Sequence, residues 1–243
     1  MTATGTSAAR RSVRENLAAL NDAQKKGAGV PAYMRWVNRR LARGVAAVAA
    51  AWGLTPNAVT MISAALSAAG LAVMLIVGPA WWSALLTGAL LAAGFVFDSA
   101  DGQVARLTGT SSAAGEWMDH VVDAIRTPAV HLTVAVAVLL HRPDLLWVGV
   151  IALLFVLVAV GQFMSQILAE QLVRTRGSTA EPSGSGIRQS WLLLPTDTGV
   201  LCWSFVLWAV PPLFAVLYAA LFAIALLHSG VSMRRKYVAL TAL

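Results

Sequence analysis

LLWVGVIALLFVLVAVGQFMSQIL, residues 145–168, contains no charged side chain and is long enough for the ~20 residues that a bilayer crossing requires. Comparable apolar runs cover residues 58–77, 81–97, 121–140, 191–210 and 213–227. With 58% hydrophobic and only 12% charged residues, the composition is that of a chain dissolved in lipid and excludes an ordinary soluble domain. The expected fold is an all-α integral membrane protein with six transmembrane helices, preceded by an N-terminal interfacial amphipathic helix. That first helix is read over residues 31–43, where Met34, Val37 and Leu41 mark one face and Arg35, Arg39 and Arg43 another, with Trp36 between them. Thr55-Pro56-Asn57 reads as a helix start, with Thr55 as cap and Pro56 in the first turn. Residues 1–54 are then expected to form an N-terminal segment on the membrane surface and 55–243 a six-helix transmembrane domain. The Gly-, Ser- and Pro-rich stretch 174–190 is expected to be a mobile loop.

Charge distribution gives the orientation. Nine of the 18 Lys and Arg residues, among them Arg10, Arg11, Arg14, Lys25 and Lys26, precede the first span. Arg106, Arg174, Arg176, Arg188, Arg234, Arg235 and Lys236 fall in segments on the same side if the span count is even, and Arg142 falls opposite. The positive-inside rule then sets both termini and the active site toward the cytoplasm, in what is expected to be a bacterial cell membrane. The net charge of +7 is accounted for by orientation and contact with anionic lipid, so nucleic acid is not an expected partner. No cleavable signal peptide is expected, since the first apolar run comes late. The single Cys202 excludes an internal disulfide and a thiolate metal cluster.

Two ends of these apolar segments carry acids. Asp98-Ser99-Ala100-Asp101-Gly102-Gln103-Val104-Ala105-Arg106 is followed, after the polar turn 108–112, by Gly115, Asp119 and Asp123. Ionised groups at such depth are costly unless compensated. If Trp81 and Trp82 mark the opposite interface, a rise of ~1.5 Å per residue puts Asp98 ~26 Å along its helix; Asp123 lies ~27 Å from His141. Both acids thus reach the same level. Asp98 and Asp101 share one helix face, as do Asp119 and Asp123, and the short turn makes the two helices antiparallel neighbours. Four carboxylates without His or Cys suit hard divalent ions such as Mg2+ or Mn2+, and two such ions would clamp a pyrophosphate. Gly102 and Gly115 leave room for a nucleotide, Ala105 keeps the face narrow and Arg106 supplies positive charge at the mouth. The chemistry indicated is phosphoryl-type transfer.

The pattern Asp98-x2-Asp101-Gly102-x2-Ala105-Arg106-x8-Gly115-x3-Asp119-x3-Asp123 resembles the signature of the CDP-alcohol phosphotransferases at all eight fixed positions. The interfacial helix, the six-span count and the Thr55-Pro56-Asn57 start are similar to that family as well. The resemblance implies displacement of CMP from a CDP-linked donor by an alcohol, two divalent cations and a homodimer. It further implies that Asp98, Asp101 and Asp119 are metal ligands, that Asp123 accepts the alcohol proton and also touches metal, and that Gly102, Ala105, Arg106 and Gly115 shape the CDP site. A carboxylate beside two cations is a weak base, so Asp123 must act through its position. No Ser or Cys stands with a His in a way that suggests a covalent intermediate, which leaves direct attack in a ternary complex.

The expected reaction moves a phosphatidyl group from CDP-diacylglycerol to a small polar alcohol. The alternatives are transfer of a phospho-alcohol from a soluble CDP-alcohol to a lipid hydroxyl and, in another class, divalent-cation transport. Several polar residues keep two readings. Arg174, Arg176 and Arg188 are topology signals or hold an anionic acceptor. Gln162, Gln166 and Glu170 are interhelical hydrogen-bonding groups or line an acceptor pocket. Arg126 neutralises the acids or binds acceptor, Asp197 is a helix cap, and Glu116 is a first-turn acid or assists the metals. His120, His131, His141 and His228 show no shared ligand spacing.

Overall fold

The computed structural model describes residues 11–22, 30–176 and 186–242; Arg10, Lys25, Lys26 and the central part of the 174–190 stretch lie outside them. Among the described residues every regular element is helical, and five helices are long and apolar enough to cross a membrane. A short helix α1 (Val13–Asp22) is followed by a π-helical turn (Met34–Asn38) that runs into α2 (Arg39–Trp52). Then come α3 (Pro56–Val77), α4 (Trp81–Thr108), α5 (Ala113–His141), α6 (Leu146–Thr175), α7 (Ile187–Leu192), α8 (Thr198–Ser204) and α9 (Pro211–Thr241).

Local chemistry sets the boundaries. Thr55 caps α3 by accepting from the Ala58 amide at 3.2 Å, and Pro56 opens its first turn, as the sequence indicated. Ser112 caps α5 by accepting from the Gly115 amide at 3.1 Å. Gly109, at φ 68°, ends α4 in the left-handed conformation that lets the chain reverse within a few residues. The α3 and α4 backbones pack closely: Ser63 Oγ donates to the Gly94 carbonyl at 2.8 Å, and a Cβ at Gly94 would overlap Ser67 Oγ. At the end opposite the acids, His141 Nε2 bonds the Leu75 carbonyl at 2.8 Å. This contact holds the end of α5 against the end of α3 and, next to it, the start of α4.

Two expectations about helices change. Residues 191–210 are not one uninterrupted span. Pro195 interrupts the backbone after α7, Asp197 caps a new helix, and the chain tightens to a 3-10 turn at Phe205–Ala209 before Pro211 opens α9. The apolar stretch Thr198–Ala209 is shorter than the other five, yet it carries the chain along α4 from the level of the acids toward the opposite end. The N-terminal helix is longer than residues 31–43, and a further face, distinct from that of Val37 and Leu41, packs against the bundle. Asn38, Ala42, Ala46 and Ala49 are buried, with the alanines packed in a core with Val96, Ala100 and Val104 of α4. Val37 and Leu41 remain exposed. Small side chains allow the close approach of two helices; larger ones are left for lipid.

The π-helical turn is pinned from two sides. Asn38 Nδ2 donates to Ser99 Oγ at 2.5 Å, beside Asp98. The Met34 amide donates to Asp197 Oδ2 at 2.8 Å, and the Gly199 amide to Asp197 Oδ1 at 2.9 Å. Asp197 is thus the expected helix cap and also ties α8 to the N-terminal segment. Trp36 packs on Trp191 at 5.4 Å, and Tyr33 Oη accepts from Trp203 Nε1 at 2.9 Å.

Candidate active site

Helices α4 and α5 bring Asp98, Asp119 and Asp123 together: one carboxylate oxygen from each lies within 4.8 Å of the others. The agreement with the levels calculated from helical rise follows from the short connection, which leaves the two helices no freedom to slide. Asp101 stands beside this group and is held differently. Its Oδ2 accepts from Thr60 Oγ1 at 2.6 Å and its Oδ1 from the Gly102 amide at 2.5 Å. Arg126, one turn beyond Asp123, donates to Asp98 and Asp123 through one nitrogen and to Ser63 Oγ through another at 2.8 Å. Among the described residues it is the one cation ion-paired with any of the four acids. Four carboxylates facing one guanidinium leave uncompensated negative charge between membrane helices. This oxygen-only donor set and its excess charge fit hard divalent ions.

The acids divide two cavities. The first, about 640 Å3, is bordered by Asp98, Asp123 and Arg126 and lies among α4, α5, α6, α8 and α9. Near the acids its wall carries Gln162, Gln166, Ser229 and Ser232; farther in it is formed by Leu91, Val130, Phe155, Leu201 and Leu221. His131, two turns along α5 from Asp123, is buried in that inner wall and bonds Tyr218 Oη at 2.7 Å. The second cavity, about 900 Å3, is bordered by Asp101 and Asp119 together with Gly102, Ala105, Arg106 and Gly115. Thr55, Asn57 and Thr60 of the α3 start complete that side. A Cβ at Gly115 would approach Ser112 Oγ and Asn57 Oδ1 at 3.3 and 3.5 Å, so a larger side chain there would crowd the cavity.

The remaining polar residues separate by position. Arg174 borders the second cavity and donates to Glu116 Oε1 at 2.7 Å, bridging α5 and α6. Arg176 and Arg188 are exposed and border neither cavity. Gln162 Nε2 donates to Ser232 Oγ at 3.3 Å, an interhelical bond, and Gln166 Nε2 to Glu170 Oε1 at 2.6 Å within α6. His120 lies 3.9 Å from Glu116, and His228 borders the first cavity. Cys202 is a buried free thiol in the same wall. Sequence reasoning missed Thr60 and Ser63, which hold Asp101 and Arg126. It also missed Ser229 and Ser232 of α9 and took Arg235 for a topology signal alone; their three-residue steps along one helix are the signal that was available.

A comparison with curated proteins gives no match. The family described as CDP-alcohol phosphatidyltransferase matches residues 53–231, from the end of α2 into α9, and so contains all four acids and most of both cavity walls, with Ser232 and Arg235 just beyond it. Its members move a phosphate-bearing group from a CDP-alcohol to an alcohol acceptor and use divalent cations, which agrees with the carboxylate cluster of α4 and α5. The match covers well over half of the chain, and the protein belongs to the CDP-alcohol phosphatidyltransferase family.

Proposed function

We propose that the protein transfers a phosphatidyl group from CDP-diacylglycerol to a small polar alcohol and releases CMP. The observation that carries this reading is the pair of cavities meeting at one carboxylate cluster, as a two-substrate transfer without a covalent intermediate requires. The CDP moiety is assigned to the cavity bordered by Gly102, Ala105, Arg106 and Gly115. Trp52 and Trp117, both strongly exposed next to that cavity's wall, support a donor whose acyl chains stay in the bilayer. The acceptor is assigned to the cavity of Asp123, Gln162 and Ser232.

Asp98, Asp119 and Asp123, with Asp101 beside them, would hold two Mg2+ or Mn2+ ions. Bound there, such ions supply charge neutralisation for the pyrophosphate and the departing CMP. In the transfer, the acceptor oxygen forms a bond to the phosphorus that carries diacylglycerol, the bond from that phosphorus to the CMP oxygen breaks, and the hydroxyl proton passes to Asp123. Asp123 acts by proximity. Arg126 orients Asp98 and Asp123 and is itself fixed by Ser63. Arg106 supplies a fixed positive charge toward the donor phosphates.

Basic residues gather at the end that carries the acids, in α2, at Arg106, at Arg174 and at Arg234, Arg235 and Lys236, while Arg142 lies at the other end. This supports a cytoplasmic active site in a bacterial cell membrane, with residues 1–54 on the membrane surface and 55–243 as the catalytic domain. A homodimer completes the proposal. One observation favours a second reading, a phospho-alcohol moved from a soluble CDP-alcohol to a lipid hydroxyl: the inner wall of the first cavity is apolar. Purified protein is to be incubated with Mn2+ or Mg2+ and either CDP-diacylglycerol plus a panel of alcohols or CDP-choline and CDP-ethanolamine plus diacylglycerol. Cation-dependent CMP release and the lipid product are scored by mass spectrometry. Product in the first arm supports the proposal, product in the second arm alone replaces it with the second reading, and cation flux without CMP release would make the chain a transporter.

A further inference from the structure

Gln162 lies in the apolar run of α6, where each amide group needs a partner. Its Nε2 donates to Ser232 Oγ on α9 at 3.3 Å, so one half of the amide joins the two helices. Its Oε1 is shielded and has no hydrogen-bond partner. An acceptor buried in that state is costly, and a donor must complete it. Gln162 borders the same cavity as Asp123 and Arg126, so a rotation of its terminal amide turns Oε1 from its shielded position toward a molecule that presents a hydroxyl to Asp123. The lining residues that α6 and α9 contribute include Arg235 and His228 and no acid. A neutral hydroxyl therefore suits this wall better than an ammonium group.

We propose that Gln162 selects the acceptor by reading a second hydroxyl, which donates to Oε1 while the reacting hydroxyl lies at Asp123, so that the acceptor is a diol or polyol. This rests on the reading of the first cavity as the acceptor side. Ser232 is a positioning residue that holds the amide through Nε2.

The full chain is assayed for Mn2+-dependent CMP release from CDP-diacylglycerol with glycerol, glycerol 3-phosphate and myo-inositol, and with 1-propanol and ethanolamine as single-hydroxyl comparators. Gln162→Met keeps the side-chain length and removes both amide groups; Ser232→Ala removes the interhelical bond and leaves Oε1. The wild type is expected to use a polyol in preference to either comparator. Gln162→Met is expected to raise the KM for that polyol about tenfold, with kcat and the KM for CDP-diacylglycerol within about twofold. Ser232→Ala frees the amide and is expected to raise the polyol KM by less than Gln162→Met does, while the KM for 1-propanol stays within about twofold in both variants and both lose thermal stability. An unchanged polyol KM in Gln162→Met, or an equal rise in the KM for 1-propanol, would reduce Gln162 to helix adhesion and overturn the proposal. Turnover of 1-propanol or ethanolamine as efficient as that of every polyol overturns it as well, while the transferase reading stands. Absence of CMP release with every alcohol refutes the transferase reading and this inference with it.

Discussion

Removing the guanidinium of Arg126 tests the balance of charge at the carboxylate cluster. Arg126→Met keeps most of the side-chain stem and deletes the group that donates to Asp98, Asp123 and Ser63. The three ionic side chains are 16%, 17% and 28% exposed, close to the regime in which breaking a buried pair costs about 3–5 kcal/mol. Their residual solvent contact argues for the lower end, about 3 kcal/mol. For a chain of this size that corresponds to a fall of roughly 6–12 °C in Tm when divalent ions are chelated. Cations bound to the freed carboxylates restore stability by mass action, by about 2.7 kcal/mol at a hundred times Kd, which is nearly the whole loss. Thermal unfolding of detergent-solubilised protein, followed by fluorescence of its nine tryptophans, is to be compared in EDTA and in millimolar Mn2+. The variant is expected to be markedly weaker than wild type in EDTA and to show the larger Mn2+-induced rise. A drop below about 2 °C in EDTA, or a Mn2+ shift no larger than that of wild type, would refute the reasoning, because Arg126 would then not be the counter-charge that a cation replaces.

Asp119→Asn and Asp123→Asn should both lower turnover by at least about a hundredfold, but with different signatures: the first weakens Mn2+ dependence and donor binding, the second mainly kcat. Steady-state kinetics with varied Mn2+ and CDP-diacylglycerol separate them, and equal loss of donor affinity would make Asp123 chiefly a metal ligand. Asp197→Ala removes the acceptor for both the Met34 and Gly199 amides, at an expected cost of about 2 kcal/mol. Hydrogen exchange should then rise selectively over residues 33–38 and 198–201, and unchanged protection there would show that the N-terminal segment is held by other contacts.

Much of the site was legible because it lies on two helices joined by a short turn. Spacing within a helix fixes both rise and facing direction, so the level and common face of Asp98, Asp119 and Asp123 follow from residue numbers alone. The start of α3 was equally local, since Thr55 and Pro56 act on the next turn of their own chain. Asp101 shares the same sequence logic as its neighbours, yet Thr60, from another helix, takes one of its oxygens. The break in residues 191–210 escaped hydropathy because Pro195 and Asp197 alter the average little while they end one helix and cap the next. The packed face of α2 escaped for a related reason: alanines score as weakly apolar, but their small size lets α2 approach α4 and leaves Val37 and Leu41 outside. The sequence by itself determined the membrane class, the helical content and the placing of four acids near the joined ends of two adjoining helices. Only the tertiary structure decided that Arg126 counters Asp98 and Asp123, that the acids divide two cavities, and that Gln162 of α6 meets Ser232 of α9 with one oxygen left over. Those outcomes depend on how helices rotate and approach one another. Contacts such as Gly94 against Ser63 and Ser67 set that packing, and periodicity within a single helix does not record it.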